Sequence, residues 1–440
     1  MNALTDRLQA EVASRLADHA RAPDPGEQGA LTDPDRSALG RALIAEALQD
    51  EAAAALSAGR PVLDTDAEDE VAAEVFAALF TMAGFQRYLD DLSIENINAN
   101  GCDEVFVRYA DGTREQVEPV AASDKELVEL IRTLAARVGL SERRFDLASP
   151  RLSLQLLDGS RLFAVMAVTG RPCVSIRRHR FPTLTLDDLV RLGTIDGVLR
   201  ALLGACVTAR KNLLVTGGTA AGKTTMLRAL CAEISPAERL VTIEDSLELG
   251  LDRDRDGHPD VVAMQAREPN VEGEGEITQA ELVRWALRMS PDRVLVGEIR
   301  GAEVIPMCNA MSQGNDGSMA TLHASSSKGA FSRLATYAIQ APERLPLEAT
   351  NLMVASAVDF VVHLGADIEG HRIVSSVREV IDADGPQVIS NEIFRPDPDG
   401  RALPGVPMRS ETLDTLMAAG FDPDVLTRGA LDDPRRGWDR

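Results

Sequence analysis

The clearest chemical pattern lies between positions 217 and 225, where glycines, a lysine and threonines follow one another closely. Positions 217–224 fit the pattern GxxxxGK[ST], with an apolar strand before them and a helix after them. Glycine lets the backbone turn so that successive N–H groups face phosphate oxygens, and the helix N-terminus adds a favourable dipole. We expect Lys223 to reach the β- and γ-phosphates of a nucleotide and the Thr224 hydroxyl to bind Mg²⁺. The predicted nucleotide-binding residues are Gly217, Gly218, Thr219, Ala220, Ala221, Gly222, Lys223, Thr224 and Thr225.

Carboxylates follow two further apolar strands. Glu298 ends a run that starts at residue 293, Glu244 ends the run 239–244, and Asp245 follows directly. Because the carboxyl ends of parallel strands meet at one edge of a sheet, we expect these groups near the γ-phosphate and the metal. Glu298 and Glu244 are predicted to orient or activate the attacking water, which leaves open which of them is the base. Taken alone, a Glu-Asp pair after a strand is usually a helix cap. The predicted metal ligands are Thr224, Glu298 and Asp245.

A histidine and three arginines complete the set of candidates. His323 ends the apolar strand 317–322, where it could hydrogen-bond the γ-phosphate and report its loss. Arg161, Arg177 and Arg178 lie outside the nucleotide-binding domain. They are either ordinary hairpin and linker residues or cations that close over the triphosphate and stabilise charge in the transition state.

Strands and helices alternate after residue 187, which predicts an open, largely parallel sheet with helices on both faces. A small α+β domain is predicted before it, beginning with a helix over 71–89. Residues 1–70 carry 15 acidic residues and six arginines, and their Ala-rich patches indicate an acidic helical appendage. The Pro- and Asp-rich residues after 396 are expected to be peripheral. The predicted divisions are an appendage (1–70), an α+β domain (71–178), a linker (179–186), an α/β nucleotide-binding domain (187–395) and a tail (396–440).

Composition excludes several classes of protein. Hydrophobic residues make up 45% and charged residues 26% of 440 residues, as in globular proteins. A net charge of −23 disfavours a non-specific nucleic-acid binder. The five cysteines are widely spaced, so neither a zinc site nor a disulfide framework is indicated. No apolar run reaches the ~20 residues of a membrane-spanning helix, and the N-terminus lacks the apolar region of a signal peptide, which predicts a cytoplasmic chain.

These motifs together resemble the secretion ATPases of type II/IV systems and type IV pili. The resemblance covers about residues 89–382 and includes the family's Walker A, Asp box (Thr242–Leu249), Walker B and His box (Gly317–Ala324). The stretch from Arg267 and the stretch from Leu287 to Glu303 also match. Within the family, the chain looks like the CpaF-type tight-adherence (Tad/Flp) pilus ATPases. It lacks the tetracysteine element of many extension ATPases, which favours that branch or the conjugation-type branch.

The resemblance implies a RecA-like P-loop NTPase domain preceded by a small α+β domain, in a homohexameric ring that binds ATP and Mg²⁺ between the domains. It implies that Glu298 and Glu244 are the acidic residues that act on Mg²⁺ and on the attacking water, and that His323 is a γ-phosphate sensor. It also implies Arg161, Arg177 and Arg178 as candidate phosphate contacts. A platform protein of the inner membrane is the implied partner, with the ATPase at the cytoplasmic face of the membrane. One departure is Ser290, where the family commonly has arginine.

Three functions remain open on the sequence. The first is a hexameric ATPase that powers pilus assembly or secretion. The second is a nucleotide-gated assembly scaffold with little turnover, which the presence of Glu244, Glu298 and His323 disfavours. The third is a DNA-handling RecA-like motor, which the negative charge disfavours.

Overall fold

The computed structural model divides the chain into two compact units, Met1–Arg180 and Phe181–Arg440. Its described residues are 4, 5, 7, 8, 11, 12, 15, 33–57, 59, 61–80, 82–109, 112–138, 144–156, 159–178, 184–267, 269 and 273–428. The fold class expected from the sequence is confirmed: a RecA-like α/β domain follows a small α+β domain and N-terminal helices.

The N-terminal helices pack on one another through aliphatic side chains. Helix Asp33–Ser57 contributes Leu43 and helix Thr65–Phe80 contributes Val71 and Val75 to a shared cluster. Because helix Thr65–Phe80 crosses it, the predicted division between residues 70 and 71 is wrong. The single helix predicted over 71–89 is in fact two helices, since helix Thr65–Phe80 ends before a 3₁₀ turn, Ala83–Phe85, that leads into helix Gln86–Asp90. At this turn a Cβ on Gly84 would lie 2.0 Å from the carbonyl oxygen of Val120, so only glycine allows the approach.

In the described part of the first unit, six antiparallel strands form one sheet in the order β3-β2-β1-β6-β5-β4. Helix Asp124–Val138 packs on it because Leu127, Ile131 and Leu134 recur at helical spacing on one face. The strands are β1 (Ile94–Asn100), β2 (Val105–Tyr109), β3 (Arg114–Val117), β4 (Arg151–Gln155), β5 (Arg161–Val165) and β6 (Cys173–Arg177).

The described second unit is built on a nine-stranded sheet in the order β15-β14-β13-β12-β7-β11-β10-β8-β9. The six strands from β12 to β9 in that order are parallel, and β13, β14 and β15 add to them antiparallel. All residues of β7 and β8 are buried, as in parallel strands covered on both faces. The strands are β7 (Leu213–Gly217), β8 (Leu240–Glu244), β9 (Val261–Gln265), β10 (Arg293–Ile299), β11 (Met319–His323), β12 (Phe360–Ala366), β13 (Arg372–Asp384), β14 (Gln387–Pro396) and β15 (Ala402–Pro404).

Helices enclose this sheet with two hydrophobic clusters. The first helix begins at Leu186 after a capping box made by Thr185 and Asp188, so the C-terminal end of the predicted linker belongs to this unit. Residues 179–183 of that linker lie outside the described residues. The helices of the second unit are Leu186–Arg191, Gly197–Thr208, Lys223–Cys231, Gln279–Ala286, Val304–Ser312, Gly329–Gln340, Leu347–Ala357, Ser410–Ala418 and Asp424–Arg428.

Residues after 396 are not peripheral, contrary to the expectation from their composition. Strand β15 joins the sheet beside β14, and Leu416 and Phe421 are buried in the core. The carboxylate of Glu379, 1% exposed, accepts hydrogen bonds from the Nε of Arg409 at 3.0 Å and the hydroxyl of Thr412. An ion pair between the exposed Arg409 and the buried Glu379, together with apolar burial, therefore holds this segment on the domain. Residues 429–440 lie outside the described part of the chain.

In the described residues, no helix combines the length and the apolar composition needed to cross a membrane.

Candidate nucleotide-binding site

The loop between β7 and helix Lys223–Cys231 has the backbone of a phosphate cradle. Ala220 has φ +60° and Gly222, the N-cap of the helix, has φ +93°. A Cβ on Gly217 would lie 2.8 Å from the carbonyl oxygen of Leu364, so glycine is needed for this close approach. Thr224 and Thr225 follow in the first turn, partly exposed. The curled loop and the helix N-terminus together fit an anionic phosphate chain.

The side chain of Lys223 folds back over this loop. Only 8% of the residue is exposed, and Nζ donates to the carbonyl oxygen of Gly218 at 2.9 Å. Nζ also lies 3.1 Å from Nδ1 of His323. The amine is therefore positioned by the loop and by the end of the neighbouring strand β11.

His323 and Glu298 meet at the ends of two adjacent strands, as their positions predicted. Nε2 of His323 lies 2.7 Å from Oε1 of Glu298, a close polar contact without the alignment of a hydrogen bond. Pairing of β10 with β11 shifts register between Val296 and Ile299. Such irregularities redirect side chains. The shift accompanies the turn of Glu298 toward His323.

Arg300 joins the two carboxylates that were predicted to bind metal. It donates to Oε2 of Glu298 from Nε at 2.9 Å and from Nη2 at 2.6 Å, and to Asp245 from Nη1. The other oxygen of Asp245 accepts a hydrogen bond from Gln279 at 2.6 Å. The spacing of the motifs did not predict this arginine bridge, although Arg300 stands only two residues after Glu298.

Glu244 is buried and bonds to the loop after β8 rather than to Arg300. The residue is 3% exposed, and Oε1 accepts hydrogen bonds from the N–H groups of Glu248 and Leu249, both at 2.9 Å. Burial raises the pKa of Glu244 to about 7. A Cβ on Gly297 would lie 2.9 Å from its Cγ, so the glycine of strand β10 makes room for it. In this conformation Glu244 anchors the loop after β8, and its action on water or Mg²⁺ remains a prediction.

A second histidine lies on the other side of the P-loop strand. His363 of β12 pairs in register with Thr216, and its Nδ1 is 2.9 Å from the Thr216 hydroxyl. Burial, and then the charge of Lys223, lowers the pKa of His363. His363 was not among the residues predicted from the sequence. The signal was available, since the run Phe360–Leu364 carries a histidine near its end, as the strand before His323 does.

Two of the three arginines predicted to contact phosphate are brought together in the first unit. Arg161 of β5 is the register partner of Arg177 of β6, so both side chains project from one face of the sheet. Arg178 donates to the carbonyl oxygen of Asp91. Contact of Arg161, Arg177 or Arg178 with a nucleotide remains a prediction.

The residues present fit a nucleotide and its magnesium ion. Gly217 allows the close approach of the Leu364 backbone, and Gly222 has the left-handed φ that a phosphate cradle needs. Thr224, Glu298 and Asp245 supply oxygen groups of the kind that Mg²⁺ prefers. Thr224 follows β7 in the next helix, Glu298 lies one residue before the end of β10, and Asp245 directly follows β8. The described residues contain no cluster of three or more His, Cys, Asp or Glu that could hold a metal by itself. Mg²⁺ bound at sites of this type commonly takes part of its shell from water and substrate phosphates.

Comparison with known proteins adds independent information. The model of the family described as "Type II/IV secretion system protein" matches residues 83–381. A putative conjugal transfer protein of Mycobacterium tuberculosis is 38% identical over 292 residues, covering 64% of this chain and 80% of that protein. The VirB11 protein of Agrobacterium fabrum is 30% identical over 305 residues, covering 62% and 86% of the two chains.

Solved structures with similarity include the VirB11 ATPase of the Brucella suis type IV secretion system in complex with sulphate. It is 29% identical, with coverage of 69% of this chain and 94% of that chain and a TM-score of 0.36. The pilus retraction motor PilT with bound ADP is 18% identical, with coverage of 78% and 97% and a TM-score of 0.49.

Proposed function

The chain belongs to the type II/IV secretion system protein family and is a P-loop ATPase, and from this premise we propose that it is a homohexameric motor for pilus assembly or secretion. ATP hydrolysis would drive movement of the two units within each subunit. The proposed pathway is assembly of a tight-adherence (Tad/Flp) type pilus, or secretion of the type II/IV kind. The proposed partner is a platform protein of the inner membrane, to which the ATPase binds peripherally from the cytoplasm.

The observation that carries the proposal is the line of side chains from Lys223 through His323 to Glu298. Nζ of Lys223 is 3.1 Å from Nδ1 of His323, and Nε2 of the same ring is 2.7 Å from Oε1 of Glu298. Phosphoryl transfer to water uses three kinds of group: a cation that binds phosphate, a hydrogen-bond donor and a carboxylate. Lys223, His323 and Glu298 supply them in that order.

Each of these groups has a defined part in the proposed hydrolysis. Lys223 neutralises charge on the β- and γ-phosphates. Oε1 of Glu298 accepts a hydrogen bond from the attacking water and orients or deprotonates it. His323 donates a hydrogen bond to the γ-phosphate, and loss of that phosphate returns the ring to Glu298. Thr224, Glu298 and Asp245 would hold Mg²⁺, which supplies charge neutralisation at the phosphates.

Arg300 then has a positioning part in the proposed cycle. It holds Glu298 and Asp245 together before magnesium binds, because its guanidinium contacts both carboxylates. Two carboxylates kept side by side without their cation would otherwise repel one another.

A phosphate-release assay with and without DNA tests the proposal against its rivals. The motor predicts ATP turnover that DNA does not change. A nucleotide-gated scaffold predicts ATP binding with negligible turnover, and a DNA motor predicts turnover that DNA stimulates. The putative conjugal transfer protein at 38% identity supports a conjugation-type secretion ATPase as the second candidate. Co-purification of the platform protein encoded with the ATPase would separate the pilus and conjugation candidates.

A further inference from the structure

The hairpin formed by β12 and β13 lies against the phosphate-binding loop. The carbonyl oxygen of Leu364 would be 2.8 Å from a Cβ on Gly217, at the start of the loop. At the other end of the loop, a Cβ on Gly222 would be 3.5 Å from Cδ of Arg372 and 3.8 Å from Cδ2 of Leu364. The aliphatic stem of Arg372 therefore packs on the glycine that begins the helix, which leaves the guanidinium beside the cradle.

The position of Arg372 is set by the hairpin. It pairs in register with Ala366 across the two strands. Two backbone hydrogen bonds close the turn between them. The N–H of Asp367 donates to the carbonyl oxygen of His371 at 3.0 Å, and the N–H of Gly370 donates to the carbonyl oxygen of Asp367 at 3.0 Å. The Asp367 carboxylate also accepts a hydrogen bond from the N–H of His371 at 2.8 Å. A well-bonded turn preorganises the arginine next to the loop.

The charge of Arg372 is not neutralised inside the protein. The residue is exposed, and within the described ranges no carboxylate forms an ion pair with it. The nearest acidic residues in the hairpin have other partners. Asp367 pairs with Arg401 at 3.0 Å, and Glu369 lies 3.4 Å from Nδ1 of His371. An available arginine beside a phosphate cradle fits an anion.

We propose that Arg372 binds the α- and β-phosphates of the nucleotide, as a second cation supplied by the same unit as the P-loop. This inference rests on the proposed function. Backbone N–H groups of a P-loop cradle the α- and β-phosphates, and Gly222, on which Arg372 packs, is part of that backbone. The γ-phosphate is left to Lys223 and His323. Arg372 therefore contributes equally to ADP and ATP binding, and its contribution does not depend on Arg161, Arg177 or Arg178.

Titration calorimetry of the full-length protein with ADP and with a non-hydrolysable ATP analogue, both with Mg²⁺, tests this inference. A charged hydrogen bond contributes roughly 1.5–3 kcal/mol. Arg372→Gln should therefore lower the affinity for both nucleotides by about tenfold or more. Arg372→Lys, which keeps the charge, should recover part of the loss. The matched control is Arg395→Gln, an exposed arginine of β14 in the same sheet. Unchanged thermal unfolding of the variants would show that folding is intact.

The outcomes separate this inference from the proposed function. Equal affinities for wild type and Arg372→Gln overturn the inference, and so does a loss confined to the ATP analogue, which would indicate a γ-phosphate contact. If Lys223→Ala abolishes binding while Arg372→Gln does not weaken it, only the role of Arg372 fails. If wild type binds neither nucleotide, the proposed function fails as well.

Discussion

The imidazole of His323 bridges Lys223 and Glu298: its Nε2 lies 2.7 Å from Oε1 of Glu298, and its Nδ1 lies 3.1 Å from Nζ of Lys223. The three residues come from the P-loop helix and from two neighbouring strands. Their contact couples the cation that binds phosphate to the carboxylate proposed to handle water. Because each residue has its own proposed role, we expect each substitution to change a different property of the nucleotide cycle.

Lys223→Ala should remove nucleotide binding or turnover while leaving the fold intact. The ammonium is the point charge proposed for the β- and γ-phosphates. Binding of a fluorescent ATP analogue and phosphate release would measure the loss, and far-ultraviolet circular dichroism would check the fold. Lys328→Ala, at the start of a different helix, is the matched control because it removes a lysine that is not part of the loop. Unchanged turnover in Lys223→Ala would contradict the P-loop assignment.

Glu298→Gln should retain ATP binding and reduce turnover by about 10²-fold or more, the scale of a lost general base. Glutamine keeps the shape of the side chain and can still accept a hydrogen bond from Arg300, but it cannot take up a proton at neutral pH. Single-turnover phosphate release separates chemistry from binding. Near-normal turnover here, together with a large loss in Glu244→Gln, would move the role of base to Glu244.

His323→Ala should reduce the preference for ATP over ADP without abolishing ADP binding. The ring is proposed to contact only the γ-phosphate, which ADP lacks. The ratio of dissociation constants for ADP and a non-hydrolysable ATP analogue is the appropriate measurement. His371→Ala removes an exposed imidazole of the β12–β13 hairpin and should leave that ratio unchanged. If His323→Ala lowers the affinity for both nucleotides equally, His323 is not a γ-phosphate sensor.

The buried Glu244 should make stability depend on pH in a defined window. Burial raises its pKa in the folded protein to about 7, above the 4.5 of an exposed glutamate, so between these pH values the native state binds more protons than the unfolded state. The free energy of unfolding therefore falls as pH rises from about 4.5 to about 7, by on the order of 3 kcal/mol from this group.

Glu244→Gln tests this dependence, because glutamine mimics the protonated acid and can still accept the two backbone hydrogen bonds. The variant should gain stability relative to wild type as pH rises from 4.5 to 7, and the gain should then level off. Urea unfolding at a series of pH values gives the difference, and Glu348→Gln at an exposed helical site is the control. Parallel profiles for wild type and Glu244→Gln would show that Glu244 is ionised throughout.

The paired arginines of the first unit should matter for hydrolysis more than for binding. Arg161 and Arg177 face one another across β5 and β6, where like charges oppose folding unless an anion or another partner lies between them. If they close over the transferring phosphate, Arg161→Gln/Arg177→Gln should lower kcat by up to about 10³-fold with a smaller change in nucleotide affinity. Arg114→Gln on β3 is the control. A double variant with wild-type kcat would remove these arginines from the mechanism.

Short-range sequence pattern determined the P-loop and the alternation of strands and helices around it. Strand β7, the loop and the helix after it follow from a contiguous motif whose backbone requirements are local. Glu298 and His323 could be placed together because each ends an apolar run, and parallel strands align their carboxyl ends. Strands β13, β14 and β15 were missed because alternation of strand and helix predicts a parallel sheet, and these strands instead add to its edge antiparallel. Strand β12 was also missed, although it pairs parallel with β7.

The sequence by itself determined which chemical groups are available and at which strand ends they stand. Only the tertiary structure decided where those side chains point. Glu244 and Asp245 are adjacent in the chain, yet one is buried under the loop after β8 and the other pairs with Arg300. Arg372 comes 150 residues after Gly222 and packs on it through the pairing of β12 with β7 and β13. The physical reason is that strand register and side-chain packing depend on contacts distant in sequence, which no local motif encodes.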